Sequence, residues 1–558
     1  MRYKVRVFLG SLFIISMISI MWISNPADAD EQDYYLRLKK GWQYMQKVYE
    51  NLNQHYVEEV DPYPLMKAGI NGMLEKLDPY TVFLEEDGER RLQIITTGRY
   101  GGLGMEIGLR NKKVTVIAPI DNTPAKKMGV QAGDIIEKVN GQAISGLSVD
   151  EISDQLRGKI GTDVSLLMRR PGVEEPYSIT LTRAEIVIED VGYAGFVEPG
   201  VAYLRLTGFT EKASDEMVAA IRKLQKEQAI HAFILDLRGN PGGLLDAAVD
   251  IVNVFVDKNE MVVYTKGYRE SEAKFYTRNV PLLPGVPLAV LVDQGSASAS
   301  EIVAGALQDL DRAVIVGEST YGKGLVQKVY PIDNNEGTKL KITTARYYIP
   351  SGRCIQKTDY GDKNDVFIRD SLMQLQSGVS EFYTRNKRKV EDKGGIYPDI
   401  KAASDSIGYI TMELIRKSLI FDFAVEFHNE HPAWQPNNEL ADSVLTKFEL
   451  FINNKNVDFD IEGERELEKL GKIASAQTYS DDIMKLIEEL KNEIEKQKAI
   501  SFESHLPQIA KTLNAELTEK YLGNKERDRI LLTDDIPVLE AVNILKNDDK
   551  YSKILAVN

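Results

Sequence analysis

The chain has 558 residues, 43% of them hydrophobic and 27% charged, with a formal net charge of −15. That length can supply more than one domain and a substantial core. The acidic balance disfavours nucleic acid as a partner, and a single cysteine, Cys354, excludes intrachain disulfides. At the N-terminus Arg2, Lys4 and Arg6 precede an apolar run from Val7 to Ile23, and Ala27-Asp28-Ala29 offers a small-x-small cleavage site. This reads as a secretory signal peptide over residues 1–29. The run is long for that role, so an uncleaved membrane anchor is the alternative. No cysteine lies near it, which excludes a lipoprotein anchor.

Residues 30–96 read as a helical segment, with amphipathic patterns over Tyr34 to Tyr56 and Pro64 to Leu77. Residues 97–183 read as a PDZ domain. Gly101-Gly102-Leu103-Gly104-Met105 precedes an alternating strand, Val114-Thr115-Val116-Ile117 gives a second, and Pro124-Ala125 opens a short helix. Gly133 to Gly141 forms a strand and hairpin turn, Ser148 to Leu156 a second helix, and Val164 to Arg169 and Tyr177 to Leu181 two more strands. Such domains bind an extended peptide along a sheet edge and hold its terminal carboxylate on backbone N–H groups of a Gly-rich loop. Gly101, Gly102, Leu103, Gly104 and Met105 form the candidate loop. Arg157, at the end of the second helix, is either a dipole-compensating surface charge or a contact to the peptide or to the following domain.

Residues 184–400 carry the chemistry. Phe233 to Leu237 is a short apolar strand, Arg238-Gly239-Asn240-Pro241-Gly242-Gly243 a tight loop, and Leu244 to Phe255 a helical pattern. Alone this is an ordinary strand-to-helix turn. A second apolar strand, Leu288 to Val292, leads to Gly295-Ser296-Ala297-Ser298-Ala299-Ser300-Glu301 and a helix carrying Ile302, Val303, Ala306, Leu307 and Leu310. That sets Ser298 at a strand-to-helix turn near the positive end of a helix. A third strand, Ala313 to Val316, leads to Tyr321-Gly322-Lys323-Gly324. None of the five histidines, His55, His231, His428, His431 and His505, lies between Ser298 and Ile400, and His231 begins its strand at the end away from the Gly-rich loop. A Ser-Lys pair is therefore better supplied than a Ser-His-Asp triad. A lysine acts as a base only when neutral, and desolvation favours that form. Beside this pair the first loop becomes a candidate oxyanion hole, with Gly242 or Gly243 giving one N–H and Ala299 the other. Gly317 to Lys323 also matches a phosphate-loop pattern. However, Gly324 replaces the magnesium-binding hydroxyl, and a strand pattern follows instead of a helix. Cys354, with no nearby histidine, is a poor nucleophile.

At this point the chain resembles the C-terminal processing peptidases, or tail-specific proteases. The segments that carry the likeness are Ser296 to Glu301, Gly317-Glu318 through Gly324, Asp236 to Gly243, Tyr347-Tyr348-Ile349-Pro350-Ser351-Gly352-Arg353 and Gly394-Gly395-Ile396-Tyr397-Pro398-Asp399, within a span from Asp30 to Ile400. The resemblance implies an α/β core like that of Clp-type proteases and crotonases, with Ser298 as nucleophile, Lys323 as base and Gln327 orienting the lysine. It also implies a supporting part for Asp309 and a dimerising part for the N-terminal helices.

Residues 401–558 read as a helical accessory domain for dimerisation or adaptor binding. His428 and His431 lack the accompanying carboxylate–histidine pattern of a metal site. The combined expectation is a multidomain α/β protein: an exported serine endopeptidase of a bacterial envelope, taking unstructured C-terminal tails, with no metal or cofactor and a homodimeric assembly. The alternatives are a PDZ scaffold with a silent or gated core and a crotonase-like acyl-CoA enzyme.

Overall fold

The computed structural model describes residues 26–333, 337–360, 381–392, 394–405, 407–455 and 463–556. The apolar run expected as a signal segment lies outside the described residues, among which no helix is long and apolar enough to cross a membrane. The chain divides into two units, residues 1–83 and 84–558.

In the first unit, helix Pro26–His55 is followed by helix Pro62–Leu74. The second starts where the sequence favours it. Pro62 occupies the first turn and Asp61 caps it, accepting the Tyr63 N–H at 3.0 Å. The long helix leaves Leu36, Leu38 and Trp42 exposed.

The second unit begins with helix Glu86–Thr97, and the PDZ domain follows. Strand Arg99–Gly102 pairs antiparallel with Ala184–Val187, so the chain enters and leaves the domain through neighbouring strands. That is the geometry of an insertion. The main PDZ sheet runs in the order Met105–Arg110, Lys113–Pro119, Ile135–Val139, Asp163–Arg169, Tyr177–Thr182. Alternating inward residues, among them Val116, Ile136, Val164, Leu166 and Met168, form its core with Ile152 of helix Val149–Leu156. Ser148 and Glu151 close that helix with a reciprocal capping box.

The core sheet has six strands in the order Val191–Glu198, Val201–Leu206, Ala232–Asp236, Leu288–Val292, Val314–Gly317, Ile400–Lys401. The first pair is antiparallel and the remainder parallel. Its central strands are buried along their whole length, as their unbroken apolar sequences require. Helices Ala213–Glu227, Leu245–Val252 and Ala299–Asp309 share the larger apolar cluster with this sheet. Helix Ile536–Leu545, from the far end of the chain, buries Val538, Ala541, Val542, Ile544 and Leu545 in a second cluster with Ile234, Leu291 and Val316. The three central strands are adjacent, so the loops leaving their C-terminal ends, after Asp236, Val292 and Gly317, are neighbours. This edge is where open α/β sheets place their chemistry.

Helices Tyr409–Arg416, Leu419–Glu430 and Asp442–Asn454 build a separate core with helix Asp481–Leu522, centred on Phe423, Phe427, Phe448, Leu513 and Leu517. His431 stacks on Phe427, with ring centroids 4.5 Å apart, and its Nε2 lies 2.8 Å from Lys447 Nζ.

Candidate active site

Ser298 caps helix Ala299–Asp309 with φ 56° and ψ −111°, a conformation that L-residues rarely adopt. The three serines of its motif have different environments. Ser296 is fully buried and its hydroxyl donates to Leu237 O at 2.8 Å. Ser300 is fully buried and donates to Asn240 O at 2.9 Å. Ser298 is half-buried, so it is the one of the three with a hydroxyl that can meet a substrate.

The lysine loop is held to this turn by one carboxylate. Glu301 Oε2 accepts the Ser298 N–H at 2.8 Å and the Lys323 N–H at 2.9 Å. Its Oε1 accepts the Gly322 N–H at 2.7 Å and the Thr320 hydroxyl at 2.6 Å. The carboxylate is completely buried; burial pushes its pKa up, and its four donors oppose that shift. From the other side, the Tyr347 hydroxyl lies between two carbonyls, donating to Lys323 O and lying 3.1 Å from Ser298 O. The backbones of Ser298 and Lys323 are thus joined twice. Lys323 itself is half-buried. Gln327 lies on the next strand, Leu325–Asp333, and its Nε2 donates to Thr343 Oγ1 at 3.3 Å.

The Gly-rich loop is tied to the same turn through Asn240. Its carbonyl accepts the Ala297 N–H at 3.0 Å, and its side chain donates to Leu206 O at 2.8 Å. Gly242, at φ 95°, lies directly against Ala299: a β-carbon there would sit 2.7 Å from Ala299 N and 2.9 Å from Ser298 Cβ. Only glycine leaves the space before that N–H open. The sequence reading offered Gly242 and Gly243 equally as donors, and their N–H groups differ in the structure. The Gly242 N–H donates to Asn240 Oδ1 at 2.9 Å, which leaves Gly243 as the candidate donor of the pair.

Asp309 lies at the opposite end of helix Ala299–Asp309, about 15 Å from the Ser298 turn at the usual helical rise. It pairs with the fully buried Arg353 at 2.9 Å and accepts the Ser351 N–H at 2.9 Å. That location suits support of the Tyr347-to-Arg353 segment and excludes contact with the reacting bond.

In the PDZ domain Met105–Arg110 is an edge strand, paired with Lys113–Pro119 on one side. Before it, Gly101 and Gly102 belong to strand Arg99–Gly102, Leu103 is buried, and Gly104 turns at φ 76°. Gly104 O accepts the Ile120 N–H at 2.9 Å and Leu103 O accepts the Ala125 N–H at 2.9 Å, so these carbonyls point into the domain. The Arg157 guanidinium lies 5.3 Å from the Tyr100 ring centroid and 3.8 Å from Asp154. It therefore packs beside the strand that leads into the loop.

Glu301, Asn240 and Tyr347 had no assigned part in the sequence reading. The S-x-x-E spacing of Ser298 and Glu301 is a capping-box signal and could have pointed to the first. Tyr347 gives no such signal.

Comparison with known proteins places the chain in a family. Residues 200–368 match the model of peptidase family S41, residues 115–170 that of a PDZ domain, and residues 410–545 that of a probable PDZ-protease C-terminal helical domain. Residues 19–88 match the N-terminal domain of the activating protease CtpB. A carboxy-terminal-processing protease of Bartonella bacilliformis is 38% identical over 402 residues, covering 70% of this chain and 90% of that protein. A probable CtpA-like serine protease of Staphylococcus aureus is 32% identical over 464 residues, covering 82% of this chain and 89% of its own. Among solved structures, the photosystem II D1 C-terminal processing protease is 27% identical and covers 64% of this chain and 91% of its own, at a TM-score of 0.33. The chain belongs to the carboxy-terminal processing proteases of peptidase family S41, and it is a serine endopeptidase with a PDZ domain.

Proposed function

We propose that the protein is an exported endopeptidase of the bacterial envelope that takes unstructured C-terminal tails through its PDZ edge and cleaves them by a Ser-Lys mechanism. The observation that carries this reading is the Glu301 carboxylate, one oxygen of which holds the amides of both Ser298 and Lys323. A buried side chain that fixes two loops to each other is expected where two side chains must meet. Lys323 removes the Ser298 hydroxyl proton as Oγ attacks the scissile carbonyl carbon. The negative oxygen is stabilised by the N–H groups of Ala299 and Gly243, with Gly242 keeping their approach clear. Lys323 then gives its proton to the leaving amine, and water hydrolyses the acyl-enzyme. Gln327 orients Lys323 from the adjoining strand, and Asp309 supports the scaffold.

A tail pairs with the open edge of Met105–Arg110 and sets its carboxylate against the N–H groups of the Gly101-to-Met105 loop. The exposed Leu36, Leu38 and Trp42 of helix Pro26–His55 fit a homodimer. The test is labelling with a serine-directed phosphonate, mapped by mass spectrometry. Modification at Ser298 is expected. Modification at another serine, or tail binding by an intact protein that takes no label, would favour a different nucleophile or a scaffold with a silent core.

A further inference from the structure

Arg238 is the first residue of the loop that carries Gly242 and Gly243, and its guanidinium is shared between two carboxylates. Nε and Nη2 face Asp236, with Nη2 at 2.6 Å. Nη1 donates to both oxygens of Asp535, each at 2.9 Å. The Arg238 side chain is only 13% exposed. Behind it, the Tyr203 hydroxyl donates to Asp236 Oδ2 at 2.6 Å, so Asp236 is fixed by the sheet itself. Asp535 lies 297 residues away and is the N-cap of helix Ile536–Leu545, where its Oδ1 also accepts the Val538 N–H at 3.0 Å. That helix is buried on the core sheet. On the far side of Arg238 the loop is held at Gly239, whose N–H donates to Asp293 Oδ1 at 2.8 Å, and at Asn240.

We propose that Asp535 is a positioning residue for the proposed oxyanion loop: Phe209, whose carbonyl accepts the Leu244 N–H at 2.8 Å, holds the Gly243 end of the loop, and helix Ile536–Leu545 is the strut that holds its Arg238 end. Asp236 holds one edge of the Arg238 guanidinium through Nε and Nη2, and without Asp535 the other edge keeps only the longer 3.4 Å contact from Nη1 to Ser404 Oγ. Asp535 anchors that second edge with charge-assisted hydrogen bonds to Nη1 and so ties the loop to a second element. The carboxylate is brought by a helix whose own place is set by apolar burial, so the loop's position is referred to the sheet through the C-terminal segment. The proposal rests on the reading of Gly243 and Ala299 as oxyanion donors.

The test compares Asp535→Ser and Asp535→Glu in the full chain. Serine keeps the helix cap and removes the ion pair, while glutamate can restore the pair. Asp535→Ser is expected to lower kcat roughly tenfold to thirtyfold, part of the roughly 100- to 1,000-fold that outright removal of an oxyanion donor costs, with KM for a model tail unchanged. Phosphonate labelling of Ser298 should slow in parallel, and Asp535→Glu should recover part of both. Amide hydrogen exchange of the 238–244 segment should quicken in Asp535→Ser. Asp534→Asn, whose carboxylate pairs with Lys511 and is 67% exposed, is the neighbouring control and should change nothing. Unchanged exchange in a folded Asp535→Ser protein overturns the strut. Faster exchange with unchanged kcat and labelling overturns the oxyanion assignment of the loop. Both results are distinct from failure of the nucleophile assignment, which Ser298→Ala tests by itself.

Discussion

At the C-terminal edge of the core sheet, buried side chains hold the backbone from every side: Glu301 takes four donors, Asn240 joins two loops, and the Tyr347 hydroxyl lies between two carbonyls. At the PDZ edge, Met105–Arg110 keeps one ladder side open, and the loop before it turns at Gly104 and is held by backbone hydrogen bonds from Ile120 and Ala125. On the proposed reading the two places handle the same kind of ligand, an extended peptide, with opposite means. Chemistry needs reacting atoms held within a fraction of an ångström, so its backbone is pinned by costly buried polar groups. Recognition needs N–H and C=O groups left unpaired until a partner arrives, so its edge is kept simple.

Substitutions can break this contrast. Ser298→Ala should lower turnover of a model tail by roughly a thousandfold or more, with tail binding retained, since the core loses its nucleophile and the PDZ edge loses nothing. Comparable turnover by the variant would remove Ser298 from the chemistry. Lys323→Arg should be nearly as inactive as Lys323→Ala, because an arginine keeps the charge and cannot be deprotonated. If the arginine variant kept most of the activity, lysine would be acting electrostatically and not as a base.

Glu301→Gln should reduce kcat about a hundredfold. An amide has one acceptor oxygen for four donors and turns its own N–H groups towards backbone N–H groups, leaving buried donors unpaired at about 1–3 kcal/mol each. Parallel measurement of tail affinity should show no change; a change there would mean that the two edges are not independent. The smallest effect is expected at the PDZ. A tail ending in an amide should be cleaved about tenfold less efficiently below saturation than the free acid, the value of one lost charge-assisted bond of about 1.5–3 kcal/mol. Equal cleavage of both forms would show that tails are selected by disorder and not by their termini.

Much of the core was legible because its signals are local. Three apolar strands each run into a Gly- or Ser-rich turn within a few residues, so the loops after Asp236, Val292 and Gly317 could be found without knowing that they are neighbours. Their adjacency is a matter of strand order, which local pattern does not carry. The partners that join them were less visible. Tyr347 reaches Lys323 from the far strand of the hairpin that follows the lysine, 24 residues on, and Arg238 meets a carboxylate 297 residues away. The pairing of the Gly242 N–H with the Asn240 side chain was also invisible, since it depends on where that amide points. Likewise the tail of the chain reads as an acidic, Lys-rich helical region, while its helix Ile536–Leu545 is almost wholly apolar on the face that meets the sheet.

The backbone at Ser298 has a consequence for durability. A serine at φ 56° and ψ −111° sits where a β-carbon is unwelcome, at a cost of about 1–3 kcal/mol. Glycine would relieve most of that cost, and the relief should exceed the roughly 0.5–1 kcal/mol that glycine's extra freedom in the unfolded chain takes back. A Ser298→Gly protein should therefore resist heat slightly better than the active enzyme. Thermal stability alone would discard the proposed nucleophile, and on that reading only the need to cut peptides keeps a side chain at that turn.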